Sequence, residues 1–532
     1  MKKTLSFFAA AAATIMAISC QPSDPSIVKT KDGLVQGHME EGTLAFKGIP
    51  YAEIERFMAP KPVTPWDTVM VCENWGPQVM QNTGRELPPE LMNEQGSCVL
   101  NVWTTDTKAK KPVMLWIHGG GFDSGSSNGN PGMGLAKKDV VLVSLNHRLN
   151  ILGFLDLSQF GEKYKYSGNV GIMDIVAALK WINANIENFG GDPDNVTIFG
   201  ESAGAGSVCA LLAAEGTEGL FHHAIAQSGC PNFTYTHEDF ARFNAAELLM
   251  KKAGATCMDD LMKLSEAELF DIYRDTSNGE SLSDCSYAPL RGDDSIIPED
   301  PYQAILDGAG KDVDLMIGTT ADEYNYFIFD IMNPSPEEEG HVLSEETKNA
   351  FSNMMLDKSL ERYFSKCTKD ELENIREFMA LYADKEEFWQ KLALMTETAF
   401  RSPAIKVAEN HIKAGGTGKT FMYYFTKENT RYDWIGASHG CELPYVFHNF
   451  EKEQELVSGP VIHELADQTC GAWASFAIAA NPSYNGVEWP EYSLEKRETM
   501  VFHNDGTVSV ENNPLSKQRE LIVPLMYHYN GL

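Results

Sequence analysis

Short apolar runs alternate with stretches of helical spacing through the middle of the chain. Residues 112–118 (PVMLWIH) and 139–146 (DVVLVSLN) predict buried strands, each followed by loop residues. Ile172, Ile175, Val176, Leu179, Ile182 and Ile186 recur with helical period and predict a helix over 172–186. Residues 195–199 (NVTIF) are apolar and β-branched up to Gly200, and the Ala-rich segment 203–214 predicts a helix directly behind them. Residues 221–227, 313–318 (VDLMIG) and 421–426 (FMYYFT) predict further buried strands. Strands alternating with helices predict the α/β class: a mostly parallel central sheet covered by helices on both faces.

Two stretches break that rhythm. Residues 233–285 and 335–415 are charge-rich and helical in pattern. They are expected as insertions that overhang the C-terminal edge of the sheet and shape a cleft there. No internal repeat, low-complexity tract or Gly/Ser linker divides residues 27–532, which predicts one large domain.

The N-terminus reads as an address. Lys2 and Lys3 precede an almost wholly apolar run over 5–18, too short to span a bilayer comfortably, which stops at Cys20. Ala17-Ile18-Ser19-Cys20 resembles a bacterial lipobox. The expectation is a lipoprotein signal peptide over 1–19, acylation of Cys20, and a short tether over 20–26. Acyl chains on Cys20 would hold the protein to a membrane of a bacterial envelope. Without lipidation the same segment implies secretion.

Composition narrows the function classes. Lys+Arg 43 against Asp+Glu 75 gives a net charge of −32, which repels phosphate backbones and argues against a nucleic-acid partner. The same charge favours neutral or cationic small molecules over polyanionic ones. Removing Cys20 leaves nine cysteines, an odd number that cannot pair completely within one chain. No Cys/His cluster has metal-ligand spacing, so neither a metal nor another cofactor is expected.

Gly200-Glu201-Ser202-Ala203-Gly204 follows a predicted strand and opens a predicted helix. That context makes a strained elbow which exposes the Ser202 hydroxyl at the positive end of a helix. His118-Gly119-Gly120-Gly121-Phe122 follows an earlier strand, and consecutive glycines let backbone N–H groups face a cavity. A base near neutral pKa must be a histidine. Seven follow residue 323: His341, His411, His439, His448, His463, His503 and His528. His439, in a Ser-His-Gly loop after the strand at 421–426, is the choice. The acid should follow the strand at 313–320, where Asp322 and Glu323 stand together and the pattern does not separate them.

Taken with Phe46–Ala52, Leu100–Trp103, Asn146–Leu149, Leu152–Phe154, the long run from Asn185 to Gly204, and Ala226–Gly229, these motifs resemble the type-B carboxylesterases, the family of the cholinesterases and the non-enzymatic neuroligins. The resemblance runs from about residue 26 to 492. It implies an α/β-hydrolase fold and hydrolysis of a small-molecule ester through an acyl-serine. It implies Ser202 as nucleophile, Glu323 as acid and His439 as base, with Gly120, Gly121 and Ala203 donating to the oxyanion. Glu201 would lie near the site and Ser228 behind Glu323. The family's glycine after the acid is Tyr324 here, and its first disulfide falls on Val79 and Ser97, leaving Cys72 and Cys98 as an alternative pair.

Two other readings stay open. A neuroligin-like adhesion or scaffold protein would keep the fold and lose the triad, and the same triad could attack amides or thioesters. Phe122, Phe233, Tyr324, Phe327, Tyr432 and Trp434 are candidate aromatic walls of the substrate site.

Overall fold

The computed structural model describes residues 24–81, 91–328, 343–450 and 458–528, apart from Asn278, Asp294 and Asp433. The signal segment, Cys20 and His341 lie outside the described residues, and of His528 only the backbone is described.

Among the described residues, fourteen strands form two sheets. The smaller joins β1 (Ile27–Lys29), β2 (Leu34–Gln36) and β5 (Val69–Val71). The larger has eleven strands. Its antiparallel flank is built from β3 (His38–Glu40), β4 (Thr43–Pro50) and β6 (Val99–Thr104). Then come β7 (Lys111–Ile117), β8 (Val141–Leu145), β9 (Gly191–Glu201), β10 (His223–Gln227), β11 (Asp314–Thr320), β12 (Thr420–Phe425) and β13 (Glu498–Phe502). An antiparallel edge strand, β14 (Val508–Asn512), closes the far side. The spatial order is β14-β13-β12-β11-β10-β9-β7-β8-β6-β4-β3, and neighbours from β8 to β13 are parallel.

Both faces of the sheet are buried, which is why the strands read as continuous apolar runs. Along β7, Val113, Leu115 and Ile117 enter one core while Met114 and Trp116 enter the other. The helices Val170–Asn185 and Ala203–Ala213 cover the first face. The helix His463–Ala479 covers the second.

Register then sets the position of the site. Ile117 of β7 pairs with Gly200 of β9, Glu201 pairs with Gln227 of β10, and Gln227 pairs with Gly318 of β11. The loops after β7, β9 and β11 therefore leave the sheet at one level, at its carboxyl edge. The chain runs from β8 across β7 to β9, so this edge holds the switch point where α/β sheets gather their sites. Helices His237–Phe243, Ala245–Ala253, Met258–Met262 and Glu266–Arg274 occupy the first stretch that broke the rhythm. Helices from Glu345 to Lys413 occupy the described part of the second.

The nine cysteines among the described residues are free thiols, including Cys72 and Cys98, which form no bridge. Cys98 is instead buried, with its carbonyl accepting from Tyr51 N at 3.1 Å, and burial pushes its thiol up. No described helix is long and apolar enough to cross a membrane.

Candidate active site

β9 ends at Glu201, and Ser202 turns the chain with φ 56° and ψ −124° before the helix Ala203–Ala213 begins. A non-glycine residue held there costs about 1–3 kcal/mol and persists only because its surroundings enforce it. The Ser202 N–H donates to Gln227 O at 2.9 Å, and its carbonyl accepts from Gly206 N at 2.9 Å. Both backbone groups are thus committed and the side chain is directed outward by the turn.

The glycine loop after β7 lies against this elbow. A Cβ on Gly119 would stand 3.0 Å from the Ser202 Cβ and 2.8 Å from Glu201 Oε2, so only glycine permits the approach. His118 Nδ1 lies 2.9 Å from Gly119 O, and its ring stacks on His147 at 4.7 Å. Burial pushes His118 down to about 3 and His147 down to about 4, so both rings are neutral and Nδ1–H of each donates to backbone. The backbone N–H groups of Gly120, Gly121 and Ala203 donate to no described residue.

The two carboxylates after β11 separate in space. Glu323 is fully buried; its Oε1 accepts from Thr320 N at 2.8 Å and its Oε2 from His439 Nδ1 at 2.6 Å. Asp322 turns away, accepting from Ala437 N at 3.0 Å. A carboxylate can only accept, so the contact fixes the imidazole proton on Nδ1 and leaves Nε2 as the basic atom. That Nε2 is buried, lies 3.1 Å from Glu201 Oε1, and has no hydrogen-bond partner. The Asn325 amide donates to Trp434 O at 3.1 Å and Ile435 O at 3.2 Å, tying the acid turn to the loop that carries His439.

Three buried glutamates surround the imidazole. Burial, then repulsion from Glu442 and Glu323, pushes Glu201 up to about 8. Burial and Glu323 push Glu442 up to about 7, although Gln227 Nε2 donates to it at 3.0 Å. Burial opposes a charge on His439, but Glu201, Glu323 and the Glu323 hydrogen bond outweigh it and hold the ring up at about 9. His439 and Glu201 therefore exchange protons as a pair.

Aromatic rings pack around the His439 imidazole. Phe400 lies 4.9 Å from the His439 ring, Tyr326 5.8 Å and Phe327 6.0 Å. Phe233 packs on Phe400 at 5.8 Å, and Phe122 packs on Phe154 at 5.0 Å. Tyr324 is fully buried against Phe327, and Tyr432 lies beside Trp434, so these three do not line the imidazole. Phe400 and Glu442 were not foreseen. Phe400 sits in a π-helical turn over Glu397–Arg401, which no periodicity reveals, and π-turns recur at functional sites. Glu442 follows Gly440 by two residues, and no spacing announces its partner Gln227 on another strand.

The Ser228 hydroxyl, expected behind Glu323, is buried without a partner; both Glu323 oxygens are taken by Thr320 and His439. Of the other histidines, His411 is held by Thr420 and Gly310, and His503 by Ser509. Among the described residues no cluster of metal-ligating side chains exists.

The family model of the carboxylesterase family matches residues 24–521. The chain is 35% identical to the para-nitrobenzyl esterase of Bacillus subtilis, covering 94% of this chain and 98% of that one. It is 30% identical to carboxylesterase 1D of Rattus norvegicus, covering 89% of each. The crystal structure of the Geobacillus stearothermophilus carboxylesterase EST55 at pH 6.8 superposes with a TM-score of 0.76 at 32% identity, over 93% of this chain and all of that one. A sheet with this order, a strained serine at its edge and these relatives place the chain in the carboxylesterase family, as an ester hydrolase of α/β-hydrolase fold.

Proposed function

We propose that the chain cleaves carboxylic esters through an acyl-enzyme on Ser202, with His439 as base and Glu323 as its orienting acid. The observation that carries this reading is the buried imidazole, fastened at Nδ1 by Glu323 at 2.6 Å and left without a hydrogen-bond partner at Nε2. His439 Nε2 takes the Ser202 proton as the oxygen attacks the ester carbonyl. The N–H groups of Gly120, Gly121 and Ala203 receive the oxyanion. The imidazolium, stabilised by Glu323 and Glu201, then protonates the leaving alkoxide. Water repeats the sequence on the acyl-serine and releases the carboxylic acid.

One relative carries the name para-nitrobenzyl esterase, which supports nitrobenzyl esters as probes. Another carries the name fatty acyl-CoA hydrolase, medium chain, which supports testing a thioester beside the ester. The Ser202→Ala variant should lose p-nitrophenyl acetate hydrolysis by about 10⁶ in kcat; activity within tenfold of the parent would refute the nucleophile.

For the N-terminus, we propose lipidation of Cys20 and anchoring to a membrane of the cell envelope, on the motif alone. Incorporation of an alkynyl fatty acid into the parent and its loss in Cys20→Ser would support it; equal incorporation would refute it.

A further inference from the structure

A cavity of about 520 Å³ opens beside the turn that carries Glu323. This lies within the ordinary range of small-molecule sites. Neither Ser202, Glu323 nor His439 lines it; Asp322, Asn325 and Gly436 do. Its wall is mixed, with four aromatic side chains set among polar ones. Tyr382, Trp389 and Tyr424 remain half-buried there, and Trp434 completes the ring. Lys385 stands over the Tyr382 ring at 5.8 Å, Lys348 over Trp389 at 5.9 Å and Arg401 over Tyr424 at 5.7 Å, and the ring surface still exposed in the concavity calls for a ligand with apolar area to cover it.

The charges narrow the ligand. Arg401 donates to both oxygens of Glu397, at 2.9 and 3.2 Å, and to Pro514 O at 2.6 Å, so its cation is neutralised internally. Lys385 is offset by Asp322, whose carboxyl its charge stabilises against burial. Glu428, at the exposed rim, already accepts from Asn504. No surplus of cations attracts an anion, and no surplus of buried carboxylates repays the desolvation of a cation. What remains is a mixed set of acceptors and donors. One Asp322 oxygen takes the Ala437 N–H at 3.0 Å, and the other makes no hydrogen bond with a described residue. A ligand with hydroxyl groups on its edge and C–H bonds on its faces satisfies both demands: hydroxyls donate to Asp322 and accept from Lys385, and C–H groups pack on the ring surface that remains exposed.

We propose that this cavity binds a neutral pyranose ring, as a free sugar or as one unit of a glycan. The site is distinct from the ester-cleaving centre and stands whether or not Ser202 is the nucleophile. Its floor nevertheless touches the catalytic frame, because Asp322 and Ala437 bond reciprocally, N to O at 2.8 Å and N to Oδ2 at 3.0 Å.

The test is calorimetric titration of the full chain with methyl β-D-glucopyranoside, methyl β-D-xylopyranoside and xylotetraose, with tetramethylammonium and benzoate as charged comparisons. At least one neutral sugar should bind one-to-one with millimolar affinity, and tighter binding of the tetraose than of both monosaccharides would mark a glycan. Trp389→Ala and Lys385→Ala should each weaken that binding about tenfold, with p-nitrophenyl acetate hydrolysis kept within twofold as evidence of an intact fold. Binding should also survive phosphonylation of the protein by a fluorophosphonate. No binding of any neutral sugar at about 50 mM, tighter binding of either charged compound, binding indifferent to both substitutions, or loss on phosphonylation would each overturn the proposal.

Discussion

His439 Nε2 stands 3.1 Å from Glu201 Oε1 while Glu323 holds the opposite nitrogen at 2.6 Å. A single imidazole between two buried carboxylates has its charged form favoured from both sides. In the proposed mechanism His439 works only when neutral, so Glu201 would set the lower limit of the active pH range. Removing its charge in Glu201→Gln lowers the His439 pKa. The acid limb of the kcat/KM profile should then move to lower pH, by about one unit or more. An unmoved limb would show that Glu201 carries no charge in the working enzyme.

Glu442 bears on stability. Its folded carboxyl is raised to about 7 from an ordinary 4.5, chiefly by burial. The folded state therefore binds the proton more tightly than the unfolded chain does, and the sign follows: the stability associated with that proton is present below pH 4.5 and is lost as pH rises towards 7. Glu442→Gln keeps an acceptor for Gln227 Nε2 and removes the ionisation. Its Tm should exceed that of the parent at pH 8 by more than at pH 5, read by calorimetry across that range.

The glycine loop, proposed to receive the oxyanion, gives a kinetic prediction. Gly120 has φ +114°, and a Cβ there would come within 2.1 Å of Ser124 O. Gly120→Ala must shift the loop and misplace its N–H groups. The expected loss is about 10²–10³ in kcat, with KM changed far less, because the donors act on the transition state. A variant that raised KM at unchanged kcat would contradict that role.

Arg148 and Asp174 form a fully buried pair, with Nη2 to Oδ1 at 2.6 Å, Nε to Oδ2 at 2.8 Å and the Arg148 N–H to Oδ2 at 3.0 Å. Asp174→Asn leaves an uncompensated guanidinium buried in the loop that follows β8. Unfolding by denaturant should show a loss of about 3–5 kcal/mol, with the Ser202 chemistry of any folded fraction unchanged.

The legible parts of the fold were those with long apolar runs. β7, β8 and β9 each carry five or more buried residues in succession and β12 carries four, so periodicity finds them to within a few positions. β1, β2 and β5 have three residues each, too few for any period, and β14 is an exposed polar edge. The glycine loop and the serine elbow were legible because each motif is contiguous. Asp322 and Glu323 could not be separated by pattern, since the choice depends on which side chain the turn points at a loop more than a hundred residues away. The proximity of Glu201 to His439 and the Phe400 cover depend on packing between distant segments and leave no local trace.

The account rests on a hydroxyl at residue 202 made nucleophilic by the imidazole at residue 439. Its most direct test is covalent capture: a fluorophosphonate added to the purified chain, followed by peptide mass spectrometry. The account predicts one phosphonyl group per chain, located on Ser202, with activity lost in proportion to labelling and labelling greatly slowed in His439→Ala. Labelling at another residue, or full inactivation with Ser202 unmodified, would contradict it.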